Sequence, residues 1–411
     1  MKLAIDQQRL ASEIESLAAF SDAEAPAVTR VVFTPTDLKA RAWLKARCQD
    51  AGLGVRQDPV GNTFARWSGA DAEASVVGTG SHIDAIPNAG KYDGVVGVLG
   101  GLEAIRALQG AGFHPRHSIE LLVFTSEEPT RFGIGCLGSR MLSGMLSAEA
   151  ARKLTDNDGA TLDEVRRTAG IGGDLEQVAL PNGYYKAFVE LHIEQGPVLE
   201  REQVPVGVVE RIAAPASLRV TVEGAGGHAG SVLMPDRRDA LCAAAELILA
   251  LENTARTKSI DTVATVGICD VFPGAINSIP ARVLLGIDIR DTDLPRRDSV
   301  MRSLEQACRA TATSRGVTIH SRVLNADAPA ICDPTVLAAL RQACEKHGFR
   351  FLSMTSRAYH DSLFISQIAP AAMLFIPCRN GYSHRPEEYA SPEDIARGSL
   401  VLADTLATLA A

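Results

Sequence analysis

The stretch VVGTGSHIDAIPNAGKYDGVVGV, residues 76–98, constrains the chain more than any other, because it sets a His, two Asp and several glycines directly behind a short apolar run. The run 76–79 reads as a buried strand, which puts Ser81, His82 and Asp84 at its carboxyl end, where open α/β sheets bind their ligands. A loop with Pro87, Asn88 and Gly90 follows, and Asp93 then opens a second segment. There Val95, Val98, Leu99, Leu102, Ile105 and Ala107 recur as on a helix packed against a sheet. Taken alone, Asp93 suits a helix N-cap and His82 a hydrogen-bonded loop residue. The histidines and glutamates further along turn the reading towards half of a metal site.

Upstream, helical periodicity over 10–20 and 36–51 leads to strand-like runs at 54–57 and 63–67, joined by the turn residues Asp58 to Asn62. Downstream, the β-rich run 118–124 ends in Thr125, Ser126, Glu127, Glu128 and Pro129, so two adjacent carboxylates stand at a strand end before the glycine-rich RFGIGCLGS. A polar helical insertion is expected over 146–170, then a strand over 187–193 that carries His192. From about 214 the order becomes strand 218–222, helix 239–253, strands 262–268 and 283–290, helix 297–314 and strand 317–323, which is that of a ferredoxin-like α+β unit. After Pro329 the α/β pattern returns, with helices at 334–347 and 362–368, an apolar strand at 372–376, the run CRNGYSHRPEE and a last helix from Pro392. The expected architecture is α/β: a mixed sheet with flanking helices built from 1–213 and 329–411, interrupted by an inserted α+β domain at 214–328.

A chain of 411 residues has room for such an arrangement with packed cores. Its 41 Lys and Arg stand against 49 Asp and Glu, a net charge of −8 without a long basic run, which argues against nucleic acid or anionic membrane and for a small-molecule partner. The start, MKLAIDQQRLASEIESLAAF, carries acids among its apolar residues and reads as an amphipathic helix, so a cytoplasmic protein is expected. No segment is long and apolar enough to span a bilayer. The eight cysteines form no C-x-x-C pair, which suits reduced, buried thiols and argues against structural zinc on cysteine.

Collected, the strand ends offer His82 and Asp84, Glu127 and Glu128, His192 and His384, with Asp93 at a helix start. Two cations sharing one Asp need on each side a His and one or two further donors, and this mixture of imidazole and carboxylate suits Zn²⁺ or Mn²⁺. The motifs GSHID, DGVVGV, EE, HIEQG and the late SH, in this order over about 31–395, resemble the M20-type dinuclear metallohydrolases of the hydantoinase/carbamoylase branch. The resemblance implies a metal-dependent exopeptidase-like sheet and an inserted domain that serves as lid and dimer surface, hence a homodimer. It further implies two divalent ions per chain, Mn²⁺ before Zn²⁺, held by His82, Asp93, Glu128, His192 and His384 with Asp93 bridging. Glu127 would be the general base, and Asp84 would hold the ring N–H of His82. The chain departs from the family in reading Ala89-Gly90 where Gly-Gly is usual.

Within the inserted domain, GGHAGSVLM, AINSIP and DIR resemble segments that imply His228, Asn277 and Arg290 as substrate groups, with Gln195, His360 and Tyr382 completing the set. Arg290 offers a fork for a carboxylate and His228 a donor to a developing oxyanion. The runs SRAYHDSLF and IPCRNGYSHRPEEYASPED look most like the ureidoglycolate-hydrolysing group. That implies cleavage of a ureido C–N bond, from ureidoglycolate to glyoxylate, ammonia and carbon dioxide. N-carbamoyl-L-amino acid hydrolase, β-ureidopropionase and allantoate amidohydrolase are the alternatives. Tyr382 is bulky where the carbamoylases and allantoate enzymes carry a small residue, so a short pocket is expected. A dinucleotide-binding reading of VTVEGAGGHA fits the glycine spacing, but Pro235 and Asp236 put the next helix start past the glycines.

Overall fold

The computed structural model describes residues 2–411. They form two compact units, one of residues up to Glu210 with Ile331–Met354 and His360–Ala411, the other of Arg211–Ala330 with Thr355–Tyr359.

The first unit is built on a nine-stranded mixed sheet. Its middle is parallel: Ala371–Ile376 lies beside Tyr185–Ile193, then Val76–His82, then Ile119–Phe124. Strands covered on both faces read as unbroken apolar runs, and every residue of VVGTGSH, IELLVF and AAMLFI is buried. Parallel pairing aligns the carboxyl ends, His82 with Phe124 and Ile193 with Ile376, so the loops that follow emerge along one edge. Antiparallel strands flank this centre, Thr63–Trp67 and Gly54–Gln57 on one side and Val206–Ile212 on the other.

The helix Val95–Gly110 crosses the parallel centre closely. A Cβ at Gly97 would lie 2.3 Å from the carbonyl oxygen of Leu191, so only glycine lets the helix approach that strand. A second part of the core, with Phe64, Phe124, Leu137, Met141, Leu162 and Phe188, lies under the insertion.

The second unit is a four-stranded antiparallel sheet in the order Val263–Phe272, Arg282–Asp291, Ala214–Glu223, Thr318–Ala326. With the helices Ala240–Lys258 and Leu294–Arg315 this is the β-α-β-β-α-β order of a ferredoxin-like fold. Arg282–Asp291 alternates strictly in burial, its inner residues meeting Ala244, Leu247, Val300 and Leu304 from the helices.

Three expectations change. The insertion is not one helix but two short ones, Ala148–Arg152 and Leu162–Thr168, because Asp156 turns the chain between them by accepting from the N–H of Asp158 and Ala160. Residues read as a loop form the strand Ala85–Ala89, antiparallel to Val28–Arg30. Arg30 stabilises that pair from a fully buried position, donating to the carbonyls of Ile83, Leu17 and Phe20. The strands Val206–Ile212 and Phe351–Ser356 were not anticipated; the second is half-exposed and takes its form from pairing with the first. Among the described residues no helix is long and apolar enough to cross a membrane.

Gly97→Ala should lower the unfolding free energy by about 1–3 kcal/mol, the usual cost of overpacking. Gly110→Ala, where an added methyl meets nothing within 4 Å, should be neutral or slightly stabilising. Denaturant unfolding of the pair checks this, and equal stabilities would refute the close-approach account.

Candidate metal centre

Asp93 does not cap the helix. The helix begins at Val95, no side chain caps it, and Gly94 between them has φ 65°. That left-handed turn releases the Asp93 carboxylate from its own helix and aims it at three imidazoles. Its Oδ1 lies 3.1 Å from Nε2 of His192 and 3.6 Å from Nε2 of His82, and its Oδ2 lies 3.3 Å from Nε2 of His384. Oδ2 also accepts from Gln195 Nε2 at 2.7 Å and from the Ser383 hydroxyl at 2.6 Å. Glu128 Oε1 approaches His384 Nε2 to 3.1 Å. Of three donor groups among the described residues whose ligand atoms lie within 4.8 Å of one another, His82–Asp93–His192 and Asp93–Glu128–His384 share Asp93, and Glu190–His192–His360 does not contain it.

Ring orientation comes from backbone carbonyls. His82 Nδ1 sits 3.0 Å from the carbonyl of Asp84 and His192 Nδ1 2.9 Å from that of Ile193, so each Nδ1–H points to a carbonyl and each Nε2 faces the Asp93 carboxylate. The Asp84 carboxylate stands 3.6 Å from the same ring nitrogen of His82 and also accepts from the backbone N–H of Glu127 at 3.2 Å and Glu128 at 3.0 Å. The chain curls so tightly between residues 82 and 84 that the carbonyl reaches the imidazole first.

With their backbones held by Asp84, the adjacent glutamates diverge. Glu128 faces His384, whereas Glu127 Oε2 lies 3.8 Å from His82 Nε2. Segment 136–138 pairs backbone to backbone with 125–127, which brings the Cys136 thiol within 3.4 Å of Glu127 Oε1 as a donor.

Burial alone would raise Asp93, but the hydrogen bonds of His192, His384 and His82 outweigh it and hold the carboxyl well below the ordinary range. Glu127 is pushed well above its ordinary value by burial, with Glu128 and Asp361 adding to the effect against the pull of His82. The hydrogen bonds to Asp93 and Glu128 raise His384 to about 11. Buried carboxylates with the buried imidazoles of His82 and His192 and the exposed one of His384, with Gln195 Oε1 also buried and without a hydrogen-bond partner, are a donor set that fits divalent cations.

His82, Asp84, Asp93, Glu127, Glu128, His192, Gln195 and His384 are thus brought together in one unit. His360, named from the sequence as a substrate residue, is buried, its ring 4.4 Å from that of His192 and 5.8 Å from that of Phe375. Tyr382 lies on the His384 loop with the Arg385 guanidinium 4.1 Å over its ring.

The other substrate candidates belong to the second unit. His228 and Asn277 adjoin on the ladder of Gly227–His228 with Ser278–Ile279, and His228 Nδ1 accepts from the N–H of Gly230, which leaves Nε2 as the donor. Arg290 extends its fork to Asp288, Nε donating at 2.8 Å. The glycine-rich turn before His228 enters this ladder and no helix opens on it, which removes the dinucleotide reading.

Two carboxylates escaped the sequence reading. Glu190 accepts from the hydroxyls of Ser81 and Ser362, and Glu388 from the N–H of Tyr92 and Asp93. Nothing in PEE separates the buried Glu388 from exposed Glu387, and Glu190 is one polar residue in an otherwise apolar strand.

The profile of the peptidase family M20/M25/M40 matches residues 78–408. The chain is 51% identical to a ureidoglycolate hydrolase of Arabidopsis thaliana over 99% of its own length and 87% of that protein. It is 38% identical to an N-carbamoyl-L-amino acid amidohydrolase of Geobacillus stearothermophilus over 99% of each. Among solved structures, AtUAH in complex with glyoxylate superimposes with a TM-score of 0.91 at 51% identity, covering 99% of this chain and 98% of that one.

Gly94→Ala should cost at least tenfold in Mn²⁺ affinity, the lower end of what supporting residues contribute, because the added Cβ would stand 2.5 Å from the His82 ring at a φ that favours glycine. Calorimetric titration with affinity equal to wild type would remove the steric argument.

Proposed function

The chain belongs to the peptidase family M20/M25/M40, and from that membership we propose that it is a metal-dependent amidohydrolase that cleaves the ureido C–N bond of ureidoglycolate, releasing glyoxylate, ammonia and carbon dioxide. The observation that carries the substrate is the full-length likeness to ureidoglycolate hydrolases, which exceeds the likeness to the N-carbamoyl and allantoate relatives. His82 and His192 with Asp93 would hold one divalent ion, and Glu128 and His384 with Asp93 a second, Mn²⁺ being favoured. Bound there, the ions would supply Lewis acidity to water and to the carbamoyl oxygen.

The side chains do the rest. Glu127, which belongs to neither donor group, takes the proton of the attacking water and returns it to the departing nitrogen. The Cys136 thiol occupies its Oε1, so Oε2 is the oxygen that works. Asp84 keeps the two glutamates pointing apart. Arg290 trades Asp288 for the substrate carboxylate, and His228 through Nε2 and Asn277 through its amide steady the carbamoyl oxygen as charge develops. In this reading residues 214–328 act as lid and dimer surface of a cytoplasmic homodimer. Tyr382 limits what else enters: ureidoglycolate has only a hydroxyl on its α-carbon, where allantoate has a second ureido group and carbamoyl amino acids a side chain.

Glu127→Gln should retain two metal ions per chain yet lose roughly 10²–10⁴-fold in turnover. A rate within tenfold of wild type would assign the base to another group.

An ammonia-release assay across (S)-ureidoglycolate, allantoate and N-carbamoyl-L-amino acids should show wild type preferring ureidoglycolate and Tyr382→Gly gaining on the larger substrates. Preference of wild type for N-carbamoyl-leucine would overturn the substrate and leave the metal chemistry standing.

A further inference from the structure

Glu388 joins neither donor group, yet it touches the shared ligand from two directions. Its Oε1 accepts from the backbone N–H of Tyr92 at 2.8 Å and of Asp93 at 3.0 Å. Its Oε2 lies 3.1 Å from the hydroxyl of Ser383, and that hydroxyl stands 2.6 Å from Asp93 Oδ2. One carboxylate therefore grips the main chain of the segment that carries Asp93 and meets the residue before His384, which itself touches the Asp93 carboxylate.

The surroundings are shaped for this contact. Glu388 is 4% exposed, and no Lys, Arg or His lies within ion-pair distance of it among the described residues. Burying a carboxylate without a cation is costly unless hydrogen bonds compensate; the donors here are the two peptide N–H groups, while the single Ser383 proton goes to Asp93 Oδ2, the nearer of its two acceptors. Gly90 leaves the room: a Cβ there would stand 2.3 Å from Glu388 Cβ and 2.4 Å from Oε1. Tyr92 and Tyr389 extend the same join, their rings meeting edge to face at 5.8 Å. The neighbouring Glu387 is exposed and pairs with Arg385, so it has no part in the join.

We propose that Glu388 is a positioning residue that fixes the spacing between the Asp93 segment and the His384 loop, so that one carboxylate serves both donor groups. It works by reach and hydrogen-bond acceptance. The inference rests on the reading of Asp93 as the shared ligand.

Two conservative variants separate reach from charge. Glu388→Gln keeps the length, accepts both N–H groups through Oε1 and donates through Nε2 to Ser383. Glu388→Asp keeps the charge but is one methylene shorter. Calorimetric titration of the metal-free proteins with Mn²⁺ should give two ions per chain in wild type, a loss of tenfold or more in the weaker of the two affinities for Glu388→Asp, and a loss below tenfold for Glu388→Gln. The visible absorption of the Co²⁺-loaded proteins should match between wild type and Glu388→Gln and differ in Glu388→Asp. A wild type that binds one ion overturns the shared-ligand reading and this inference with it. A wild type that binds two, with Glu388→Asp losing less than tenfold or Glu388→Gln losing as much as Glu388→Asp, overturns the inference alone.

Discussion

The structure turns on keeping a carboxylate, Asp93, ionised while it is buried among three imidazoles. An ionised carboxyl removed from water is stable only where the protein replaces its hydration with donors held in place. Here those donors come from three separate parts of the chain: His82 at one strand end, His192 near another with Gln195 just beyond it, and Ser383 with His384 after a third. Parallel strands in register supply that convergence, because aligned carboxyl ends release their loops side by side.

Around this group a second set of carboxylates holds backbone instead of facing the centre. Asp84 takes the N–H groups of Glu127 and Glu128, Glu388 those of Tyr92 and Asp93, and Glu190 the N–H of Ser362. The same device continues outward in neutral form, where Asn62 Oδ1 accepts from the N–H of Thr125. Hydrogen bonds to charged groups contribute about 1.5–3 kcal/mol each, so loops without regular structure become as well placed as the strands that precede them. The division between Glu127 and Glu128 follows: with both peptide groups fastened to one Asp, the two side chains are left to point towards different imidazoles.

The two units answer to different physical demands. The first needs all-buried parallel strands to present loops at one edge. The second is an antiparallel sheet covered by helices, whose alternating strands leave polar side chains such as Arg290 on the uncovered face. Its substrate candidates sit on strand and ladder positions, with His228 and Asn277 brought side by side by a pairing of only two residues on each strand.

Periodicity and residue type were enough to read most of this from the sequence. The apolar runs before His82, Glu127 and His192 and the ferredoxin-like order of the inserted elements appear in one dimension, since each depends on neighbours within a few residues, whereas the set of five candidate ligands came from the resemblance to the M20-type metallohydrolases. What remained hidden depends on side-chain direction in loops and on contacts between distant segments. Only the left-handed turn at Gly94 decides that Asp93 leaves its helix, and only the tight curl after His82 gives the imidazole to the Asp84 carbonyl and the carboxylate to residues 127 and 128. Glu388 looks like any glutamate in a polar loop until the fold brings Tyr92 and Asp93, nearly three hundred residues earlier, against it. Local pattern determines which residues stand at strand ends; tertiary structure decides which donor each buried carboxylate accepts from, because that choice is made by partners the local sequence does not contain.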